Sequence, residues 1–285
     1  MNMVIIAKKD FRQAIRSQVL LGLTALFALF TTAGVLVISI IPELAGPEGG
    51  LGLSFVYGLV TPATILVPII GLLVGYKAIA GERESGSLNC LLGLPHTRFD
   101  VVLGKVLGRT AVVAVSILIG FAVGSIAIAV ISESFSPLLY IGFTAITVFF
   151  GMAFVSLGIG LSAAVSSTSR AAWGAFGIFA LFQFFWNLIG MVIRYATTGS
   201  VLPRPPLSDE YLLFTILNPQ NAYTAAMSSL LPPGKSLNAA SMMARMAGGE
   251  LPAYFNGWFA FGVLFFWTVV PLTLGYLRFR RVELV

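Results

Sequence analysis

The chain has 285 residues, of which 58% are apolar and only 10% are charged. An ordinary soluble domain carries about 25% charged residues, and a soluble chain of this length could not bury so much apolar surface in one core. The composition therefore excludes a soluble enzyme, a disordered chain and a nucleic-acid-binding module. It predicts an all-α, polytopic membrane protein that forms a single transmembrane domain over residues 1–285.

The N-terminal segment, residues 1–18, has the pattern of an amphipathic helix over Val4–Gln18. Apolar residues recur on one helical face, namely Val4, Ala7, Phe11, Ala14 and Ile15. The opposite face carries most of the cations, namely Lys8, Lys9, Arg12 and Arg16. This pattern predicts an interfacial helix that lies along the inner membrane surface.

Six windows are apolar and long enough to cross a hydrocarbon core about 30 Å thick. They are residues 19–41, 53–76, 110–132, 137–161, 171–193 and 253–277. None of the windows contains Asp, Glu, Lys, Arg or His. Because an ion-coupled carrier usually binds its coupling ion with such side chains, the pattern argues against ion coupling and for an energy source outside this chain.

The positions of the cations predict the orientation. Thirteen of the 17 Lys and Arg residues lie on one side of the six-span arrangement, whereas the short loops 42–52 and 133–136 carry none. The positive-inside rule then places both termini in the cytoplasm of a plasma-membrane protein. The other four cations lie in the outer segment 194–252, and long loops cross the membrane largely regardless of charge.

The outer segment contains signals for short helices. Asn218 followed by Pro219 is a typical helix start. An apolar stripe follows on one face, formed by Ala222, Tyr223, Ala226, Met227 and Leu230. A stop at Pro232–Gly234 and a second helix from Ser236 to Gly248 complete the pattern. We therefore expect short outer-face helices rather than a folded extracytoplasmic domain.

Signatures of catalytic and metal sites fail in this sequence. The single Cys90 and the single His96 cannot form the paired motifs of zinc sites or metalloproteases. The run Gly234-Lys235-Ser236 ends like a phosphate-binding loop, but Ser229 stands where that loop needs its first glycine. We predict no catalytic residue, no metal site and no cofactor on this chain, which is therefore not an enzyme.

The inner loop 77–109 combines charge with an apolar stripe. Leu88, Leu91, Leu92 and Leu94 recur at helical spacing in a segment that faces water. Such a stripe suits docking to a partner protein, and it equally suits packing against the membrane surface. Periodicity alone leaves both interpretations open.

The same loop closely resembles a motif of a known family, the permease subunits of type-2 ATP-binding-cassette exporters. The motif reads E-R-E-x-G-T-L-x-x-L-L-x-x-P-x-x-R-x-x-x-x-x-G-K. The matching residues are Glu82, Arg83, Glu84, Gly86, Leu88, Leu91, Leu92, Pro95, Arg98, Gly104 and Lys105, and Ser87 replaces the threonine. The stretch 217–223 looks like the N-P-x-x-A-[FY] segment of the branch linked to copper-enzyme maturation.

The resemblance implies a transporter of two permease chains, identical or homologous, and two ATPase subunits that carry ATP and Mg. Loop 82–105 would then hold a cytoplasmic coupling helix that sits in a cleft of the ATPase. The residues implied in ATPase docking are Glu82, Arg83, Glu84, Gly86, Leu88, Leu91, Leu92, Pro95 and Arg98. Glu82 and Glu84 would pair with ATPase cations or with Arg83 and Arg98, and Gly86 would permit a tight turn.

Two further features concern the spans. Gln183 and Asn187 are four residues apart in the fifth window, so they share one helical face and are candidates for the translocation pathway, with hydrogen bonding between helices as the alternative. Glycine pairs four residues apart favour packing within the chain over a subunit interface; they are Gly71/Gly75, Gly104/Gly108 and Gly120/Gly124.

Three functions are therefore weighed for this chain. The first is a permease that moves a substrate, outward by family expectation, through alternating access driven by separate ATPase subunits. The second is an ion-coupled secondary transporter. The third is a membrane anchor or assembly factor without transport activity. Lipid surrounds the protein in each case, and nucleic acid is not expected as a partner.

Overall fold

The computed structural model describes residues 2–15, 18–41, 50–88, 93, 97–131, 136–200, 207–231, 252 and 254–281. Within these ranges the regular secondary structure is helical throughout. Six of the described helical segments are long and apolar enough to cross a membrane. The all-α fold class with six membrane-spanning helices is thus confirmed.

The chain forms two compact units, residues 1–176 with 267–285, and residues 177–266. The helices of the first unit are α1 (Asn2–Ile15), α2 (Gln18–Ile40), α3 (Gly50–Gly75), α4 (Ala80–Glu84), α5 (Arg98–Ile131) and α6 (Pro137–Ala164). Two helices cross the boundary between the units, α7 (Thr168–Ala180) and α11 (Gly257–Arg280). The single transmembrane domain over 1–285 stays a prediction.

The second unit continues the fifth span and adds two short helices. A π-helix over Leu181–Phe185 follows α7, and α8 (Trp186–Thr198) follows the π-helix. Gly199 then ends the span in a left-handed conformation with φ 67°. The short helices are α9 (Asp209–Ile216) and α10 (Pro219–Ser228).

The helix α5 and the fifth span extend furthest beyond their apolar windows. The helix α5 begins at Arg98 instead of residue 110, because Val101, Val102 and Val106 are buried and continue its packing surface. The fifth span ends at Thr198 instead of residue 193. An apolar window thus locates a span but not the polar turns that prolong its helix.

Glycines let the helices of the first unit approach closely. A Cβ atom on Gly75 of α3 would lie 2.7 Å from the Val155 carbonyl oxygen of α6. Gly160 of α6 similarly lies against the backbone of Pro271 in α11. The other predicted pairs make the same kind of contact, Gly104 and Gly108 with α1, and Gly120 and Gly124 with α2. Packing within the chain is therefore confirmed as a role of these pairs.

The predicted outer helix is present as α10. The Asn218 side-chain oxygen accepts the backbone N–H of Gln220 at 2.9 Å, and Pro219 is the first helical residue. The predicted stripe is buried except for Leu230, which is half-buried, and Tyr223 is 0% and Met227 2% exposed. The second predicted outer helix, from Ser236 to Gly248, lies outside the described residues.

Candidate functional site

The helix α1 packs along the first turns of α5, and two glycines make this approach possible. A Cβ atom on Gly104 would lie 2.8 Å from the Cβ of Ile6, and one on Gly108 would lie 3.0 Å from the Cβ of Asp10. Ile6 is 4% exposed and Asp10 is 6% exposed. The face of α1 that docks on α5 thus carries Ile6 and Asp10, whereas Val4, on the predicted apolar face, is 60% exposed. The contact of that apolar face with the membrane surface stays a prediction.

Four charged side chains meet where α1, α4 and α5 come together, and we call them the charge cluster: Asp10, Glu82, Lys105 and Arg109. The Lys105 Nζ lies 2.7 Å from Glu82 Oε1 and 3.7 Å from Asp10 Oδ1. The Arg109 Nε lies 2.7 Å from Asp10 Oδ2. Lys105 is only 2% exposed, so these carboxylates take the place of the water that its ammonium group loses on burial.

The charge cluster corrects the expected partners of Glu82. Its carboxylate pairs with Lys105 of the same chain, rather than with Arg83 or Arg98. Two signals in the sequence could have suggested this arrangement. Lys105 closes the family motif, and Asp10 is the only acidic residue among the first 18.

The next two residues of the motif hold the link between α6 and α7. Arg83 donates from Nη1 to the Val165 carbonyl at 3.5 Å. The Glu84 carboxylate accepts the backbone N–H of Thr168 at 3.1 Å and also its hydroxyl. The hydroxyl and N–H of Thr168 lower the pKa of Glu84 below its ordinary 4.5. Because a helix N-terminus favours a negative charge, Glu84 also stabilises the start of α7.

The backbone that leads into α4 is tied to the end of α6. The hydroxyl oxygen of Ser162 accepts the backbone N–H groups of Ile79 at 3.0 Å and Ala80 at 2.9 Å. Gly86 then turns the chain with φ 73°, a conformation that glycine adopts without steric cost. The tight turn expected at Gly86 is thus confirmed.

At the other end of the loop, Arg98 holds the last turn of α11. Its guanidinium donates to the carbonyl oxygens of Phe279 and Arg280, and lies 5.2 Å from the centre of the Phe279 ring. These carbonyls have no donor within an α-helix, so an arginine is a suitable partner for them. Arg98 was expected to pair with Glu82 or Glu84, and the contacts described for it are with α11.

The leucine stripe divides between buried and undescribed residues. Leu88 is 1% exposed, so in this structure its side chain packs inside the chain instead of facing a partner. Three other docking candidates of this segment lie outside the described residues, namely Leu91, Leu92 and Pro95. Their contact with an ATPase stays a prediction.

The two pathway candidates have different surroundings. The side-chain oxygen of Gln183 accepts a hydrogen bond of 2.8 Å from the amide of Gln220, whereas Asn187 is exposed. The expectation of a shared face assumed 3.6 residues per turn throughout. The π-helix over Leu181–Phe185 breaks that periodicity between them, because its hydrogen bonds span five residues.

The arrangement as a whole is suited to mechanical coupling. One loop is attached to α5 through Glu82, to α7 through Glu84 and to α11 through Arg98. A force applied between these attachments acts on several helix ends together. Among the described residues, no group of three or more His, Cys, Asp or Glu side chains could hold a metal ion.

Comparison with known proteins identifies the family. The family model described as ABC-2 family transporter protein matches residues 4–284. The chain belongs to the ABC-2 transporter family. It is 31% identical over 285 residues to the probable ABC transporter permease protein NosY of Stutzerimonas stutzeri, with 97% of each chain covered. It is also 31% identical over 291 residues to the protein of the same name from Pseudomonas aeruginosa, again with 97% of each chain covered.

Family membership confirms the predicted function class. The chain is a transmembrane permease subunit of an ABC transporter and a multi-pass membrane protein. As a permease of this family it associates with ATP-binding-cassette ATPase subunits. The motif in loop 77–109 therefore led to the correct family, and the ion-coupled carrier was the wrong alternative.

Proposed function

We propose that this permease subunit moves its substrate outward by alternating access, driven by ATP hydrolysis on two separate ATPase subunits. A second permease chain, identical or homologous, completes the pathway. ATP and Mg bind to the ATPase partners, and this chain has no catalytic site of its own. Both of its termini lie in the cytoplasm, and the spans cross the plasma membrane.

The observation that supports this proposal best is the attachment of the loop at both ends. Glu82 joins the start of the loop to α5 through the buried Lys105. Arg98 joins its end to the last turn of α11. A movement of the ATPase against the segment between them would therefore tilt whole helices as rigid bodies, as alternating access requires.

The motif residues then divide into two groups. Glu82, Arg83, Glu84 and Arg98 have partners within the chain and act as attachments. The docking surface for the ATPase is the segment that they hold, with Leu91, Leu92 and Pro95 as its apolar contacts. Leu88 supports this segment from inside, because it is buried.

In the translocation pathway, we assign the closer contact with substrate to Asn187. Its amide is exposed, whereas the amide of Gln183 is engaged with Gln220. An exposed amide in a membrane span is costly against lipid, so it favours a polar cavity or a partner helix. Gln183 becomes available to a substrate only when its bond to Gln220 opens.

Co-purification of the permease with its ATPase tests the docking surface. Leu91→Asp places a charge in the apolar contact, so we expect at least a tenfold loss of bound ATPase. Leu138→Asp is the matched control, because Leu138 is an exposed leucine at the far end of a span, on α6. Recovery of the complete complex with Leu91→Asp would show that the docking assignment is wrong.

A further inference from the structure

The fifth span changes its hydrogen bonding at the π-helix. The backbone N–H of Trp186 donates to the carbonyl of Leu181, five residues back, whereas in an α-helix its partner would be Phe182, four residues back. The carbonyl of Phe182 instead accepts the side-chain amide of Asn218 at 2.9 Å. A side chain from another segment thus takes the place of a backbone donor.

The Asn218 amide is fixed from both sides. Its oxygen accepts the backbone N–H of Gln220 and so caps α10, while its nitrogen donates to Phe182. Asn218 is 2% exposed, so water does not compete for these bonds. The capped end of α10 therefore holds the donor in position before the π-helix meets it.

Two neighbouring contacts attach the same part of the span. The Gln220 amide donates to Gln183 at 2.8 Å, inside the π-helix. The Trp186 indole nitrogen donates to the Phe214 carbonyl at 3.0 Å, and the two rings stack 4.6 Å apart. Contacts from residues 214–220 thus reach Phe182 and Gln183 within the π-helix and Trp186 directly after it.

We propose that Asn218 is a positioning residue that selects the π-helical form of the fifth span. A buried carbonyl that loses its backbone donor is unfavourable unless another donor replaces it. Asn218 supplies that donor. Without the Asn218 donor, the Phe182 carbonyl accepts the Trp186 N–H, as in an α-helix. The π-helix then becomes α-helical, and the register of the following residues changes.

The register determines where the outer half of the span points. One inserted residue rotates all following residues by about 100°. In the π-helical form Gly190 and Arg194 are buried, and Asn187 and Val192 are exposed. Asn218 therefore sets the register in which Asn187 is exposed. That this exposure serves transport rests on the proposed function.

A thermodynamic cycle tests the assignment on the full chain in detergent. Asn218→Ser keeps a side-chain oxygen that caps α10 but cannot reach the Phe182 carbonyl. Deletion of Phe184, which is 61% exposed, removes the inserted residue and keeps both halves of the span in register. In the deletion variant Asn187 N–H stands four residues from Phe182 and replaces the donor.

We expect Asn218→Ser to lower the midpoint of thermal unfolding by roughly 2–4 °C in the natural chain. In the chain without Phe184 the same substitution should have no effect within about 1 °C. Asn221→Ser is the control, because Asn221 donates to the Thr215 carbonyl at 2.8 Å in the same turn. Its cost should be equal in both chains. Equal costs of Asn218→Ser in both chains would overturn the proposal.

A distance measurement needs no deletion variant. Spin labels at Gly177→Cys and Val192→Cys, in a Cys90→Ser chain, lie on the two sides of the π-helix. Both positions are open, since a Cβ on Gly177 meets nothing within 4 Å and Val192 is 68% exposed. Asn218→Ser should change the label distance distribution, and Asn221→Ser should leave it as it was. An unchanged distribution with Asn218→Ser contradicts the proposal.

Substrate-stimulated ATPase activity of the reconstituted complex separates this inference from the proposed function. If Asn218→Ser changes the label distance and lowers the stimulated activity, both stand. If it changes the distance while the stimulated activity is unaffected, the positioning role stands and the assignment of Asn187 to the pathway fails.

Discussion

Lys105 is the buried cation of the charge cluster. Its ammonium group is buried between the carboxylates of Asp10 and Glu82. Lys105→Met keeps the length of the side chain but leaves two carboxylates with one remaining cation, Arg109. We expect a loss of about 3 kcal/mol in the free energy of unfolding, because removing one partner leaves buried charge uncompensated. Denaturation in detergent measures it.

The control for that substitution is Lys77→Met, since Lys77 is an exposed lysine at the start of the same loop. It should cost less than about 1 kcal/mol, as exposed ion pairs contribute little. Asp10→Asn in the Lys105→Met background should recover part of the loss, because it removes one uncompensated carboxylate. Equal stabilities of the two lysine variants would mean that the charge cluster contributes nothing.

At the level of single residues, the sequence was enough to recognise the motif, but it did not predict which residues the motif side chains contact. The turn at Gly86 was implied by the family resemblance, and the conformational freedom of glycine is its physical basis. The pairing of Glu82 with Lys105 spans 23 positions and depends on how α4 folds back onto α5. No local sequence pattern predicts a contact across that separation.

At the scale of elements, helix contacts depend on the absence of side chains. The backbones of α3 and α6 meet at Gly75 and Gly158, whose Cα atoms leave no room for a methyl group. Gly75→Ala should therefore destabilise the protein by about 1–3 kcal/mol, because backbone atoms cannot move aside as a side chain can. Thermal unfolding in detergent, followed by circular dichroism, measures the change.

The matched control is Gly22→Ala on α2, where an added Cβ meets nothing within 4 Å. Alanine has the higher helix propensity, so this variant should be neutral or more stable by up to about 1 kcal/mol. The two substitutions are chemically identical, but only Gly75→Ala should lower the stability of the protein. If both stabilise the protein, the close contact between α3 and α6 is not a determinant of the fold.

Elements with local causes were predictable, and those with distant causes were not. Asn218 and Pro219 mark the start of α10 within two residues, and apolar windows mark the spans. The π-helix over Leu181–Phe185 escaped prediction because its donor comes from 36 residues away. The docking of Ile6 and Asp10 on α5 escaped prediction for the same reason, since their partners lie on a distant part of the chain.

At the scale of the whole molecule, the distribution of cations predicts the topology. In a Cys90→Ser chain, Lys9→Cys and Arg281→Cys should be protected from an impermeant thiol reagent applied outside intact cells. Ser229→Cys, at the end of α10, should react with it, because the positive-inside rule puts the segment 194–252 outside. Labelling of Lys9→Cys from outside would show that the orientation is the reverse of the predicted one.

The orientation stays a prediction from the positions of the cations. The number of spans follows from composition, which needs no knowledge of contacts. The division into two compact units does not follow from it, since both units are equally apolar. The family was identified from about 30 residues of one loop, and the match to its model then extended over residues 4–284.

The position of Asp10 has a consequence for the synthesis of the chain. Residues 2–15 leave the ribosome long before Lys105, their buried ionic partner. Until the third span has been made and inserted, Asp10 lacks both of its cationic partners, Lys105 and Arg109. The helix α1 is thus translated before the residues that hold it and reaches its final place late.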